Sequence, residues 1–266
     1  MIDLVIWVVM EETKEASNAK FCLLDSDFLI FTVVHCKKLE NGEVEVKSLE
    51  DCKYLLDKFI EDICTKVNAT HCILAVTNKR CFRYKLWDGY KANRKYPEPP
   101  LHFEETRDYL LSKPNIIKDT DLEGDDIIVC FKSYLAGLEI DSILVSPDKD
   151  VVLCQKGYHY NPRKGEFVTI SSKEAARNFW ISMVVGDSVD GIKGVPGKGK
   201  VFAEKLFEDG VETNVYPYRT LVTYTQHFGE DEGIEQFYLN YKMLHLVDKP
   251  AYGFNPADYE LDTFKI

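Results

Sequence analysis

The sequence offers no spacing pattern for a structural metal held on sulfur. Its eight cysteines (positions 22, 36, 52, 64, 72, 81, 130 and 154) include no CxxC and no paired Cys/His spacing, which argues against a zinc site. They fall mostly inside apolar segments, where a free thiol behaves as a small hydrophobe, so a reduced, cytoplasmic chain is expected. A long hydrophobic run is missing too. The opening MIDLVIWVVM carries Asp3, has no basic region before it and gives way to EETKE. It is too short to span a bilayer and wrong for a signal peptide, so it is expected to pack on the body as a helix or strand, with no membrane role. Positive charge is in deficit, with 33 Lys and Arg against 44 Asp and Glu and a net charge of −11. That excludes a protein that coats nucleic acid through bulk positive charge. There is no internal repeat, low-complexity stretch or obvious flexible linker.

What is present is acid in four short clusters: Asp25 in LLDSD, Glu123-Gly124-Asp125-Asp126, Asp148 with Asp150 in SPDKD, and Asp187 with Asp190 in GDSVD. Each cluster lies beside an apolar run, and carboxylates at the ends of core elements tend to converge. Two unit charges about 4 Å apart repel by roughly 4 kcal/mol at an effective dielectric near 20. Eight such groups need solvent or cations. Hard divalent ions with oxygen ligands answer that need, and paired ions are a recurrent solution for cutting phosphodiesters. Taken singly, the acids have plainer readings: a charged helix start at Glu123–Asp126, and turn formers at Asp187 and Asp190 beside Gly186 and Gly191.

The basic residues are concentrated. Between Lys79 and Lys95 stand Lys79, Arg80, Arg83, Lys85, Lys91, Arg94 and Lys95 against a single acid, Asp88. Phe82, Tyr84, Trp87, Tyr90 and Tyr96 interleave with them. Cations with aromatics suit a nucleic-acid strand that needs phosphate neutralisation and base stacking.

Hydrophobic residues make up 45% of the 266, enough for a substantial core. FCLLD reads as a buried strand ending in Asp25, followed by a helix over FLIFTVVHC. Residues 51–67 place Leu55, Leu56, Phe59, Ile60 and Ile63 on one helical face. Further strands are expected at 71–76, near 115–117 and at 141–146, with a helix over 101–112 and another, capped by Asp121, beginning near Glu123. Strands separated by helices imply an α/β fold with a mostly parallel central sheet flanked by helices. Ligands of such sheets collect at the carboxyl ends of the strands, where Asp25 and Asp148 fall. A core over 1–173, including the basic segment at about 79–100, is expected to precede a helical region over 174–266.

At GDSVDGIKGVPGKGK the sequence resembles the helix–three-turn–helix element of the 5′-nuclease (flap endonuclease) superfamily, a PIN-like fold. LLDSDFLIF resembles that family's first acidic strand, FRYKLWDGYKANRK its FR…YKANR signature, LEGDDII its E-x-D-D helix and SPDKDVVLC its D-x-D motif. Five motifs in the family's order span about residues 21–246, with wording most like the 5′→3′ exonucleases of podophage replication systems.

The resemblance implies metal-dependent hydrolysis of duplex DNA from 5′ ends or nicks, with removal of 5′ flaps or RNA primers. Asp25, Glu123, Asp125 and Asp126 would build one metal site, and Asp148, Asp150, Asp187 and Asp190 a second, for two Mg²⁺ or Mn²⁺ ions. Arg83, Lys91 and Arg94 would hold the scissile phosphate, and Tyr90 would stack on a terminal base. Gly194, Gly197, Lys198, Gly199 and Lys200 would meet duplex phosphates, at a turn that in the family often carries K⁺. A monomer acting in the cytoplasm, the host's if the chain is phage-encoded, completes the expectation. One departure stands out. The family has an aspartate at the end of its second strand, where this chain has Asn78. That residue is a candidate ligand without charge, and it leaves open a structure-specific flap endonuclease or an impaired protein that binds branched DNA. His35, His71 and His102 match no family motif and are expected to be structural.

Overall fold

The computed structural model describes residues 20–35, 46–78, 80–94 and 98–266. The expected N-terminal element, Lys79, Lys95 and Tyr96 lie outside them. Five strands form the parallel part of one sheet: β1 (Lys20–Asp25), β2 (His71–Val76), β3 (Ile116–Lys118), β4 (Asp141–Val145) and β5 (Gly157–Asn161). A sixth, β6 (Glu166–Ile170), pairs antiparallel with β5, and the order across the sheet is β3-β2-β1-β4-β5-β6. The parallel run holds because the connections carry helices, as the alternating pattern predicts.

Alternation along the strands splits the core in two. Cys22, Leu24, Cys72, Leu74, Val76, Ile143 and Val145 face one layer. That layer is α1 (Asp27–Val34), α2 (Leu49–Val67) and α4 (Phe103–Leu111), with Leu56, Ile63 and Leu110 at its centre. Phe21, Leu23, Ile73, Ala75 and Leu144 face α5 (Gly124–Gly137) on the other side. The strands read as continuous apolar runs because both faces are covered. The helix α2 begins at a reciprocal cap between Ser48 and Asp51, two residues earlier than expected.

The strand order reverses direction between β1 and β4: the chain moves outward from β1 through β2 to β3, then crosses back to β4. The crevice beyond the carboxyl ends of β1 and β4 is therefore the place where an α/β sheet of this kind binds ligands. Two short helices border it, α3 (Phe82–Leu86) and α6 (Lys149–Cys154).

Beyond β6, α7 (Ser172–Val185) leads into a hairpin of β7 (Gly186–Asp187) and β8 (Ile192–Lys193), then α8 (Lys200–Leu206). Two antiparallel helices follow, α9 (Tyr216–Phe228) and α10 (Glu230–Leu244). Met183, Val195, Tyr224 and Phe237 form a core of their own among these elements, with Trp180 packed against it.

One expectation is corrected, and two stretches without a sequence reading gain structure. Asp121 does not cap α5: Glu123 is the cap, in a reciprocal pairing with Asp126. The stretch between Gln155 and Ser171 contains the β5–β6 hairpin. The residues after Pro250 return to the sheet, where Phe254 and Phe264 pack edge-on against Phe131 of α5. The last amide, Ile266 N–H, donates to the Thr70 carbonyl at 3.1 Å. A chain division at residue 174 therefore does not separate everything beyond it from the first core. Burial of Phe264 gives a direct check. Phe264→Ala should lower stability by about 3–5 kcal/mol in urea denaturation, as for a core phenylalanine. A cost under about 0.5 kcal/mol, as for an ordinary surface site, would contradict this packing.

Candidate metal centre

The crevice is a cavity of about 1030 Å³ lined by Asp25, Asp27, Glu123, Asp125, Asp148, Asp150, Asp187 and Asp190. Seven of these are the sequence-selected acids; Asp27 is the addition. They arrive on four separate pieces of local structure. Asp25 ends β1, where its Oδ2 accepts the Ser146 hydroxyl at 3.0 Å. The same Ser146 Oγ accepts the Asp148 amide at 3.0 Å, so one serine past β4 sets two acids. Asp148 caps α6 by accepting the Asp150 amide at 2.7 Å. Asp187 fixes the hairpin loop by accepting the Val189 amide at 2.8 Å.

Asp125 and Glu123 sit at the start of α5, which lies over the end of β2. Gly124 permits that approach: a Cβ there would stand 3.2 Å from the Ala75 carbonyl oxygen. Thr77 locks it, its Oγ accepting the Gly124 amide at 3.0 Å.

Crowding leaves an electrostatic signature. Burial, with the Asp27 charge next, pushes the Asp25 carboxyl up to about 7. Burial and then Asp148 push Asp150 up to about 6. Asp125 is raised well above the ordinary range by burial and by Asp126 and Glu123. Among the described residues no ion pair joins Asp25, Asp27, Asp125, Asp148, Asp150 or Asp187 to a lysine or arginine. Six carboxylates thus share a cavity without a direct ion pair among the described residues, although Lys91 and Arg94 also line it. The donor set is all hard oxygen, which fits a divalent ion of the Mg²⁺ or Mn²⁺ kind.

No family model matches the chain. Over 162 residues, 54% of the chain, it is 32% identical to DNA polymerase I of Rhizobium leguminosarum, of which it spans only 16%. It is 27% identical over 213 residues to an exodeoxyribonuclease of Enterobacteria phage T3, covering 74% of this chain and 70% of that one. A match of 27% over 213 residues to flap endonuclease Xni of Colwellia psychrerythraea covers 73% and 71%. Among solved structures, the phage T5 D15 protein co-crystallised with metal ions superposes with a TM-score of 0.61 at 16% identity, covering 86% of this chain and 89% of that one. The T5 5′-exonuclease with bound zinc gives 0.59 at 17%, covering 88% and 90%. The chain is thus similar in sequence to an exodeoxyribonuclease and a flap endonuclease, and it shares the fold of the T5 exonuclease structures.

Several residues that the 5′-nuclease pattern singles out stand elsewhere than expected. Arg83 does not face a phosphate. It is 2% exposed, and its guanidinium is committed to protein acceptors: Nε to the Met243 carbonyl (2.9 Å), Nη1 to Asp126 (2.6 Å) and Glu123 (3.1 Å), Nη2 to Asp126 (2.9 Å) and the His245 carbonyl (3.1 Å). Asp126 is the other half of that lock. Fully buried, it also accepts the Val247 and Glu123 amides, yet one of its oxygens still lies within 4.8 Å of carboxylate oxygens of Glu123 and Asp125, a group that could hold an ion. Tyr90 is buried as well, its hydroxyl 2.6 Å from Glu123 Oε2 and 3.2 Å from Asp190 Oδ2. It cannot stack on a base; it spaces two carboxylates.

Lys91 and Arg94 do reach the cavity. Lys91 pairs with Glu123 and lies 3.9 Å from Asp190, and Arg94 pairs with Asp190 while its side chain stays 36% exposed. Burial pulls the Lys91 ammonium down, but Glu123 and Asp190 outweigh it and hold it above its ordinary value. Asn78 lines a second depression, shared with Asp27, Thr77, Lys91, Arg94 and Glu123. It does not line the acid cavity.

The residues 194–200 stand outside the cavity lining, on the turn before α8. Gly194 is there for packing: a Cβ on it would lie 2.2 Å from the Val184 carbonyl oxygen. Gly197 takes a φ of +73° with open space around it, and Gly199 caps α8. Lys198 lies over the Phe202 ring at 4.4 Å, and Lys200 pairs with Glu204 at 3.7 Å.

Two outcomes follow from this geometry. Arg83→Met leaves Asp126 buried without its partner and should cost about 3–5 kcal/mol in chemical denaturation; a cost below about 1 kcal/mol would show the site to be solvated. The second concerns pH. Asp25 and Asp150 have folded-state values above the ordinary carboxyl near 4, so the folded chain holds their protons longer than the unfolded chain. Their contribution is full below about pH 4 and lost as pH rises through about 6 to 7. The metal-free melting temperature of the wild type should therefore carry a falling component over that window. Asp25→Asn combined with Asp150→Asn should remove it, as should millimolar Mg²⁺. An unchanged pH slope in the double variant would refute the assignment.

Proposed function

We propose that this chain is a divalent-metal-dependent 5′→3′ exonuclease that acts on duplex DNA from 5′ ends or nicks and also removes 5′ flaps. The observation that carries this reading is the convergence of seven sequence-selected acids, from four separate segments, on one crevice at the switch point of the sheet. The similarity to an exodeoxyribonuclease and a flap endonuclease, each covered over about seven-tenths of its length, supports the same reading. A role in phage replication fits the T3 relative, and RNA-primer removal from an RNA–DNA hybrid is part of the proposal.

Two ions, Mg²⁺ or Mn²⁺, fit the distribution of acids. Asp25, Glu123, Asp125 and Asp126 stand as one set and Asp148, Asp150, Asp187 and Asp190 as the other. Bound there, such ions supply Lewis acidity toward a phosphoryl oxygen and lower the pKa of water. The chain's own contribution is positioning and charge. Lys91 and Arg94, held by Glu123 and Asp190, present N–H donors at the cavity to an incoming phosphodiester. Arg83, Tyr90, Thr77 and Ser146 hold the acids in place, so the anionic wall stays assembled before substrate arrives. The turn over 194–200, with Lys198 and Lys200, is proposed to meet the duplex backbone, with K⁺ as a further ligand of its carbonyls. A monomer working in the cytoplasm suits this reading. No helix among the described residues is long and apolar enough to cross a membrane.

The competing reading, an impaired protein that only binds branched DNA, rests on Asn78. Its position outside the acid cavity weakens that reading. Cleavage of 5′-labelled nicked, flapped and blunt duplexes, with and without Mg²⁺, separates the two. Asp148→Asn and Asp187→Asn should each abolish Mg²⁺-dependent cleavage while leaving the melting temperature of the metal-free protein unchanged or raised. Lys198→Ala should instead weaken duplex binding and reduce its salt slope by about one. Binding without cleavage by the wild type at any Mg²⁺ concentration would establish the competing reading.

A further inference from the structure

The end of β2 carries no carboxylate of its own: the strand finishes at Val76 and the next two residues are Thr77 and Asn78. A carboxylate nevertheless stands there. Asp27, the first residue of α1, reaches across from the end of β1, and its Oδ2 accepts the Thr77 amide at 3.0 Å. The connection is held from both sides. The Ser26 amide donates to the Ala75 carbonyl at 2.8 Å, tying the start of α1 to the last turn of β2. Thr77 Oγ takes the Gly124 amide, tying the same strand end to the start of α5. Asp27 is thus fixed between Asp25 on one strand and Glu123 and Asp125 on the helix. Together with Thr77, Lys91, Arg94 and Glu123, it lines both the acid cavity and the depression that contains Asn78.

Its chemistry is anomalous for a structural role alone. An aspartate in the first turn of a helix is ordinarily solvated and held by the helix's own amides. Here the carboxylate turns inward to a neighbouring strand's amide, among other carboxylates and with no ion pair among the described residues. An inward carboxylate with only neutral donors, on the wall of a cavity of hard oxygen ligands, gains most from a divalent cation.

We propose that Asp27 is a ligand of the metal centre, taking the place at the end of β2 that Asn78 leaves without charge. The inference rests on the metal-dependent reading of the same cavity. The centre would then be complete in anionic ligands while Asn78 contributes at most a neutral oxygen. It follows that the carboxylate can be moved between the two positions: an acid at 78 should substitute for the acid at 27.

The test is metal binding rather than turnover. Mn²⁺ binding to the full chain, followed by electron paramagnetic resonance and by isothermal titration, is compared for the wild type, Asp148→Asn, Asp27→Asn, Asn78→Asp, and Asp27→Asn combined with Asn78→Asp. Asp27→Asn should weaken one class of Mn²⁺ site at least tenfold, and adding Asn78→Asp should recover most of that loss. If Asp27→Asn folds poorly, Asp27→Ser carries the same readout. Wild-type affinity in Asp27→Asn, with Asp148→Asn impaired, would overturn the role of Asp27 and leave the metal centre standing. Weakening without recovery in the combined variant would overturn the substitution of one position for the other. No Mn²⁺ binding by the wild type would remove the metal reading itself, and with it the inference.

Discussion

The Arg83 guanidinium joins pieces of chain that are far apart in sequence, and the assembled site depends on that junction. On one side it meets Glu123 and Asp126 at the start of α5; on the other it meets the Met243 and His245 carbonyls at the end of α10. Acids at a helix N-terminus and a cation at a helix C-terminus are each favourable with the helix dipole. One planar side chain serves both at once, with geometry that an ammonium could not reproduce. Taking such a charge out of water is expensive, and the arrangement is tolerable only because its donors are matched by acceptors. The C-terminal helices are thereby fastened to the helix that carries Glu123 and Asp125.

Around that junction the acids fall into two kinds. Glu123, Asp126 and Asp190 are neutralised by Arg83, Lys91 and Arg94, and these pairs shape the wall. Asp25, Asp125, Asp148, Asp150 and Asp187 are held by neutral hydroxyls and amides or by the loop they cap. The first kind is already satisfied within the protein; the second stores repulsion that a bound cation relieves. Partner, rather than sequence motif, therefore divides these acids.

Those motifs were legible because the parallel strands are covered on both faces and stand out as short apolar runs, with Asp25 ending β1 and Asp148 following β4. The positions of β1, β2 and β4, and the gathering of Asp25, Asp148 and the α5 acids, followed from that pattern. Side-chain direction did not. Arg83 and Tyr90 share a segment with Lys91 and Arg94, and nothing in FRYKLWDGYKANR distinguishes a cation that turns into the protein from one that turns outward. Asp27 escaped attention because it lies two residues after Asp25, where a helix start accounts for an acid without further reason. The β5–β6 hairpin was hidden by mixed polar and aromatic residues. The return of Phe254 and Phe264 to α5 was hidden because the residues between them form only short turns, with no periodicity to read.

The close crossing of Gly186 and Gly194 sets the hairpin rigidly against the turn before α8. A Cβ on Gly186 would meet the Gly194 nitrogen at 2.3 Å, so at this point two main chains touch with no side chain between them. The acids of the hairpin lie on one side of the crossing and the turn before α8 on the other. A contact between backbones has almost no compliance, unlike one made by rotatable side chains. The separation between the acid-bearing loop and the turn proposed to grip the duplex is then a fixed length, set by van der Waals radii. Substitutions on either arm can then alter that arm without altering the distance between the two.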